Sequence, residues 1–441
     1  MGAETIYAPA TAPGRAAIGV IRVSGSCALE VAHRLAGVAR LPPRRACLRW
    51  LRDPDSGEKL DRALLLYYPA PASYTGEDML EIQHHGGPAV LAALLDALGR
   101  LPGLRLAEPG EFTRRAFLAG KLDLTEAEAV ADLVAATTRA QARLALLQLE
   151  GGLRRRCEEW RARILDLLAR IEAAIDFGAE EADVPETLED EVLTDALELR
   201  AAIEHHLADD RRGERLRAGL AVAVIGPPNA GKSSLVNLLA RREVAIVTPI
   251  AGTTRDVLEV ALDLGGLPLT LYDTAGLRES ADPVEAEGIR RARARAEAAD
   301  LRLFVLEAGT PAAELPPEDD RTLLVVNKID LSPPPPLGRP HVAISCVTGA
   351  GIAQLVGWLH ERAAMLVPSA AEAVITRARH REALMEAAAA LRRATESGGT
   401  VELAILAEEL RLAARAIGRI TGHAGVEEVL DRIFATFCIG K

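Results

Sequence analysis

Residues 226–233 read Gly-Pro-Pro-Asn-Ala-Gly-Lys-Ser, a glycine loop that ends in a lysine and a hydroxyl. Glycines at that spacing let successive backbone N–H groups wrap phosphate oxygens. Lys232 would reach the β- and γ-phosphates and serve the chemistry, and Ser233 would take magnesium at a helix N-terminus. Farther along, "VVNKID" puts Asn327, Lys328 and Asp330 after a buried apolar run. A carboxylate there accepts paired hydrogen bonds from guanine N1–H and the 2-amino group, a pair that adenine does not offer, so the nucleotide is GTP. Ser345, Cys346 and Val347 follow the short run 342–344 and take the place of the last base-contacting loop. Asp273, Thr274, Ala275 and Gly276 follow the run 269–272, where a second switch meets magnesium and the γ-phosphate. Four motifs in this order identify a GTPase.

Between the glycine loop and Asp273 lies "VTPIAGTTRD", whose Thr254 is the second magnesium ligand. The GTP-contacting residues are therefore Asn229, Ala230, Gly231, Lys232, Ser233 and Ser234 in the loop. Thr248, Pro249, Ile250, Ala251, Gly252, Thr253 and Thr254 join them from the first switch, with Asp273–Gly276, Asn327, Lys328, Asp330 and Ser345–Val347 beyond. After "DTAG" stands Leu277, where many GTPases use a glutamine to orient the attacking water. Two replacements are open. Arg255 could act as an arginine finger, or a bound monovalent cation could neutralise the developing charge, a role worth ~10³–10⁵ in rate when an arginine fills it. Asn229 offers a neutral oxygen for such a cation. Glu285, in "DPVEAEGI", is either the general base or water-orienter, or a solvated carboxylate at a helix start.

These loops need elements to hold them. "LAVAVI" before the glycine loop and "SLVNLL" after it read as strand and helix. Residues 1–119 mix short β-rich runs (18–23 and 63–68) with Gly/Pro turns, a small α+β domain. The adjacent His84-His85 reads as a turn before Gly86-Gly87 and not as a metal pair. Residues 120–217 are helical, with Ile164, Leu168, Ile171 and Ile175 in one stripe. Residues 218–368 form a Ras-like P-loop α/β domain around a mainly parallel sheet. The stretch 369–441 returns to helix, with Leu403, Leu406, Leu410, Ala413 and Ile417 aligned. The expected chain is multidomain: an α+β domain, then a discontinuous helical domain interrupted by the inserted GTPase domain.

The 441 residues are 49% hydrophobic and 26% charged, and no apolar run is long enough to span a membrane. Five scattered cysteines without metal spacing fit reduced thiols in the cytoplasm. A net charge of −11 argues against broad electrostatic binding of nucleic acid while leaving room for one local basic groove. With aromatics at 3%, a base-stacking platform is not expected.

The chain resembles the bacterial and organellar tRNA-modification GTPase family, MnmE or TrmE. The likeness is carried end to end by "PGRAAIGVIRVSG", "YTGEDMLEIQHHGGP", "GEFTRRAFLAGKLDLTEAEAVADLV", "PNAGKSSLVN", "AGTTRD", "DTAGLR" and the final "FCIGK". The resemblance implies a folate-binding-like, dimerising amino-terminal domain, hence a homodimer. A 5-formyl-tetrahydrofolate or related one-carbon tetrahydrofolate would contact Arg22, Glu81, Lys121 and Lys441. It implies potassium at Asn229, Thr248, Ile250 and Thr253, catalysis by Glu285, and face-to-face pairing of two GTPase domains during hydrolysis. The implied partners are tRNA and the flavin-dependent MnmG (GidA) subunit, in a heterotetramer or larger complex; the implied task is modification of wobble-uridine carbon 5. Cys438 is either a nucleophile beside the cofactor or a small buried apolar residue. A competing reading is a ribosome-assembly switch, which calls for an appended basic RNA-binding module that the carboxyl-terminal helical stripe lacks.

Overall fold

Core-facing and half-exposed side chains alternate along "IGVIRVS" and its neighbours, the pattern of strands with one buried face. The computed structural model describes residues 4–177, 188–209, 211–241, 259–273, 298–309, 315–366, 375–396, 403–425 and 427–440. In chain order its elements begin with β1 (Thr5–Pro9), β2 (Ile18–Ser24), α1 (Ala28–Ala36), β3 (Cys47–Arg52), β4 (Lys59–Tyr68) and β5 (Met79–His85). Next come α2 (Pro88–Gly99), β6 (Leu104–Leu106), α3 (Glu111–Leu118), α4 (Leu124–Ala135), α5 (Arg139–Leu149), α6 (Gly152–Phe177), α7 (Leu188–Leu207) and α8 (Arg212–Ala218). The α/β stretch holds β7 (Leu220–Ile225), α9 (Lys232–Ala240), β8 (Glu259–Leu264), β9 (Leu267–Asp273), β10 (Leu301–Glu307), β11 (Thr322–Asn327) and β12 (His341–Ala343). Helices α10 (Ile352–Leu366), α11 (Ala378–Glu396), α12 (Leu403–Thr421) and α13 (Glu427–Phe434) complete it.

Two compact units emerge, the first drawing its described residues from Met1–Ala131, Leu149–Ala179 and Leu403–Lys441. Its sheet has the order β3-β4-β5-β2-β1-β6, antiparallel except where β6 runs parallel to β1. Ile21, Val23, Leu80, Ile82 and Leu65 bury one face of this sheet against Val31, Leu35, Leu94 and Leu98 of α1 and α2. The opposite face carries Arg22 and Glu81. Strand β5 runs through His84 and His85 instead of turning there, because β2 pairs with it as far as Ile18 opposite His85. Alternation then sends the two imidazoles to opposite faces, His84 buried and His85 exposed. In α6 the buried stripe is Ile164, Leu167, Leu168, Ile171 and Ala174, whereas Ile175 is 39% exposed. A 3.6-residue period drifts past a strict i, i+4, i+7, i+11 set, and Ala174 takes the inward position. Leu406, Leu410, Ala413 and Ile417 of α12 are buried in one stripe, as its sequence predicts, and α12 packs along α6.

The second unit draws on Asp132–Gln148 and Glu180–Glu402. Its sheet runs β12-β11-β10-β7-β9-β8, parallel throughout except for the β8–β9 hairpin. Val222 and Val224 of β7 and Leu303 and Val305 of β10 are fully buried, as fits central strands covered on both faces. Leu235, Val236 and Leu239 of α9 and Leu355 and Leu359 of α10 pack on them. Among the described residues, no helix is long and apolar enough to cross a membrane. Asp132, near the end of α4, accepts hydrogen bonds from Arg217 Nε at 2.9 Å and from an Arg377 amino group at 2.8 Å, both on Oδ1. Gln141 Nε2 donates to the Arg217 carbonyl at 3.0 Å.

Candidate functional site

In a parallel sheet the ligand lies beyond the carboxyl ends of the strands, where the connections lead off to opposite sides of the first strand. That point is β7, flanked by β9 and β10. The loop after β7 turns tightly because Gly226 has φ +140 and Gly231 has φ +94. A Cβ on Gly226 would overlap the Val305 carbonyl oxygen, and one on Gly231 would overlap the Asn327 amide. Only glycine fits at either place, which leaves loop backbone free to approach phosphate. Asn229 stands exposed at φ +63 on the same loop, and Ala230 is buried.

Lys232 opens α9 and is 7% exposed, its ammonium donating to the carbonyls of Gly226 at 2.9 Å and Pro227 at 2.8 Å. Burial pushes its pKa down, against the pull of the Asp273 carboxylate at the end of β9. A cation tied to loop carbonyls and facing a buried carboxylate suits a polyphosphate that would replace those weaker partners. Ser233 is half-buried and Ser234 exposed in the first turn of α9.

At the end of β11, Asn327 is 2% exposed. Its Nδ2 donates to the Ala230 carbonyl at 2.9 Å, and its Oδ1 accepts the Cys346 N–H at 3.2 Å, joining the glycine loop to the loop after β12. Lys328 adopts φ +67 and reaches Glu307 at 2.8 Å. Ser345 donates from Oγ to Asp330 Oδ1 at 2.6 Å, and the same oxygen accepts the Val347 and Thr348 N–H groups. The Asp330 carboxylate is thereby fixed in direction. Cys346 is half-buried, which raises its thiol pKa, and Val347 is 85% exposed beside it. The structure thus brings together Asn229–Ser234, Asp273, Asn327, Lys328, Asp330 and Ser345–Val347. Thr248–Thr254, Arg255, Thr274, Ala275, Gly276, Glu285 and Lys441 lie outside the described residues.

In the first unit, Arg22 and Glu81 are directly cross-strand on β2 and β5, with Arg22 Nε to Glu81 Oε1 at 3.0 Å. Tyr68 OH donates to the other Glu81 oxygen at 3.4 Å, and the Arg22 guanidinium lies 5.7 Å from the Tyr74 ring centroid. Tyr74 also exchanges a hydrogen bond with buried Thr113. Lys121 donates to the Pro71 carbonyl at 2.8 Å, on the loop that carries Tyr74. An ion pair with an adjacent phenol is a polar cradle that fits a ring bearing N–H groups and a carboxylate tail. Tyr68 and Tyr74 escape motif reasoning because neither type is diagnostic alone; Tyr74 begins the quoted "YTGED". The Cys438 side chain is exposed, which removes the buried-apolar alternative; the neighbouring Phe437 is the one that is buried. The Gly110 N–H approaches the Cys438 carbonyl at 3.5 Å at the start of α3.

A family model described as the GTP-binding protein TrmE N-terminus matches residues 5–121, and one described as the MnmE helical domain matches residues 124–438. A tRNA modification GTPase MnmE from Parvibaculum lavamentivorans is 54% identical over 99% of this chain and 100% of its own. Another from Rhodospirillum rubrum is 54% identical over the full length of both. A mitochondrial 5-taurinomethyluridine tRNA synthase subunit from Rattus norvegicus is 48% identical over 99% of this chain and 93% of its own. With a GTPase-type glycine loop and full-length identity of this order, the chain belongs to the MnmE (TrmE) family of tRNA-modification GTPases.

Proposed function

We propose that the chain is the GTP-hydrolysing subunit of a complex that modifies carbon 5 of the wobble uridine in tRNA, to a group of the aminomethyl or carboxymethylaminomethyl type. The observation that carries the nucleotide half is the convergence of Lys232, Asn327 and Asp330 at the carboxyl ends of parallel strands, where Asn327 ties the glycine loop at Ala230 to the loop after β12 at Cys346. The tRNA half rests on family membership and on what the relatives are named for.

In the mechanism, the loop N–H groups and Lys232 hold the β- and γ-phosphates, and Asp330 reads guanine. Ser233 and Thr254 would hold magnesium, which supplies neutralisation of phosphate charge. Potassium at Asn229, Thr248, Ile250 and Thr253 would add to it, and Glu285 would orient the water in place of the missing glutamine. Arg22, Glu81, Lys121 and Lys441 would bind a one-carbon tetrahydrofolate, with exposed Cys438 as a nucleophile candidate. Homodimerisation, a flavin-dependent MnmG partner and a cytoplasmic setting belong to the same reading.

Mass-spectrometric analysis of tRNA nucleosides from cells lacking the protein tests the function: loss of a carbon-5 wobble modification is expected, and an unchanged profile defeats the reading. Hydrolysis is expected to be faster in potassium than in sodium, and Asn229→Ala to remove that difference while GTP binding persists. Indifference of the wild-type rate to the cation would hand the role to Arg255.

A further inference from the structure

Strand β3 is a sheet edge, and its sequence together with that of β4 is unusually basic for a chain of net charge −11. Between residues 44 and 62 stand Arg44, Arg45, Arg49, Arg52, Lys59 and Arg62, against Asp53, Asp55, Glu58 and Asp61. All six cations are exposed, and none is ion-paired among the described residues. Three of the four acids, by contrast, are already engaged. Asp53 and Asp55 hold Arg100, and Asp61 holds His85 through both its ring, at 2.7 Å, and its backbone N–H. These contacts turn the three acids towards Arg100 and His85 and leave the six cations without a carboxylate among the described residues.

At the centre lies Trp50, 46% exposed beside Leu48 at 45%. Lys59 sits 4.6 Å from its ring centroid and Arg62, its cross-strand partner, 5.7 Å. The ring holds both cations at the surface through its π face, so they are pre-positioned without a carboxylate to quench them. Edge strands are often charged simply to deter pairing with another chain. Charge of either sign would serve that end, and stacking two cations on one exposed ring adds nothing to it.

We infer that the β3–β4 edge, with Lys59 and Arg62 stacked on Trp50 and the exposed Arg49 on the same edge strand, is a contact surface for the phosphodiester backbone of RNA. The proposal rests on the tRNA reading above and adds the face of this chain that meets the nucleic acid. An array of unpaired, outward cations complements a row of phosphates, and such contacts position an RNA without reading its sequence.

The test uses the full chain and a fluorescent tRNA transcript, with anisotropy followed across a salt series. In the triple variant Arg49→Ala, Lys59→Ala, Arg62→Ala, affinity at low salt is expected to fall at least ~10-fold, and the slope of log K against log salt to shrink by about 2. GTP turnover should stay unchanged, which shows the chain is folded. Trp50→Ala should weaken binding less, and Trp50→Phe should restore it, since an aromatic face is enough to hold the cations. Unaltered affinity and slope in the triple variant overturn the surface, as does displacement of tRNA by polyglutamate at equal charge, which would mean an acidic protein partner. Absence of wild-type binding overturns it as well. The nucleoside analysis decides the tRNA reading separately, whatever the strip does.

Discussion

In the parallel sheet of the second unit, the described candidate residues sit at or beyond the carboxyl ends of strands; in the antiparallel sheet of the first, Arg22 and Glu81 project from mid-strand. The first arrangement places chemistry on loops, where it is written as contiguous text. Gly226 to Ser233 and Asn327 to Asp330 are each a short word whose backbone conformation does the work. The second arrangement places it on a sheet face, where partners meet across strands 59 positions apart and single letters carry no meaning. A sheet face is set by register, and register is a property of the whole fold.

Four measurements would break or sharpen that contrast. Lys232→Ala should have the largest effect, lowering GTP turnover on the order of 10³-fold through loss of preorganised charge at the phosphates. A steady-state rate near that of the wild type would mean that the loop is not the phosphate site. Asp330→Asn comes next: GTP affinity should drop ~100-fold, for two hydrogen bonds to a charged group, while xanthosine triphosphate gains. Titration calorimetry with both nucleotides reads the exchange, and parallel losses for the two would count against base recognition by this residue.

The third concerns the first unit's own polar network. Burial alone would raise the Glu111 pKa, but Arg105, the Glu108 N–H and Arg115 outweigh it and hold it at about 2, against an ordinary value of 4.5. Since the folded pKa is depressed, this stabilisation is fully present above pH 4.5 and is lost as pH falls towards 2. Glu111→Gln should cost about 2 kcal/mol in urea unfolding at pH 7. The gap to wild type should close as the medium is acidified through that window; a gap independent of pH would assign the loss to packing. The smallest effect is expected for Glu81→Gln, which should weaken reduced-folate binding ~10-fold, the worth of a single charge-assisted hydrogen bond, and spare GTP turnover. Loss of both activities together would mean that Glu81 serves the fold.

The same contrast explains what could be read in advance. Strands β2, β4, β7 and β9 and the stripe on α12 follow from periodicity, since a buried face imposes it directly. The glycine loop and the Asn327 segment follow from motif. The role of Asn327 as a tie between two loops does not, because it depends on Ala230 and Cys346 arriving on either side of it. His84 and His85 depart from the turn that their sequence suggests for a related reason: the glycines after them signal a break, but pairing with β2 holds the strand straight to its end. The exposure of Cys438 is likewise set by tertiary packing around Phe437.

Asp132 holds Arg217 and Arg377 on one oxygen atom, and this has a consequence for how the chain tolerates change. Two points gripped by a single atom are neighbours in space whatever separates them in sequence, so the stretch between them is a closed loop. Extending such a loop is thermodynamically mild, at about 0.6 kcal/mol for each doubling of its length. The clasp therefore marks a modular junction, where a whole folded segment could be excised, bridged by a short peptide or exchanged without pulling its two anchor points apart.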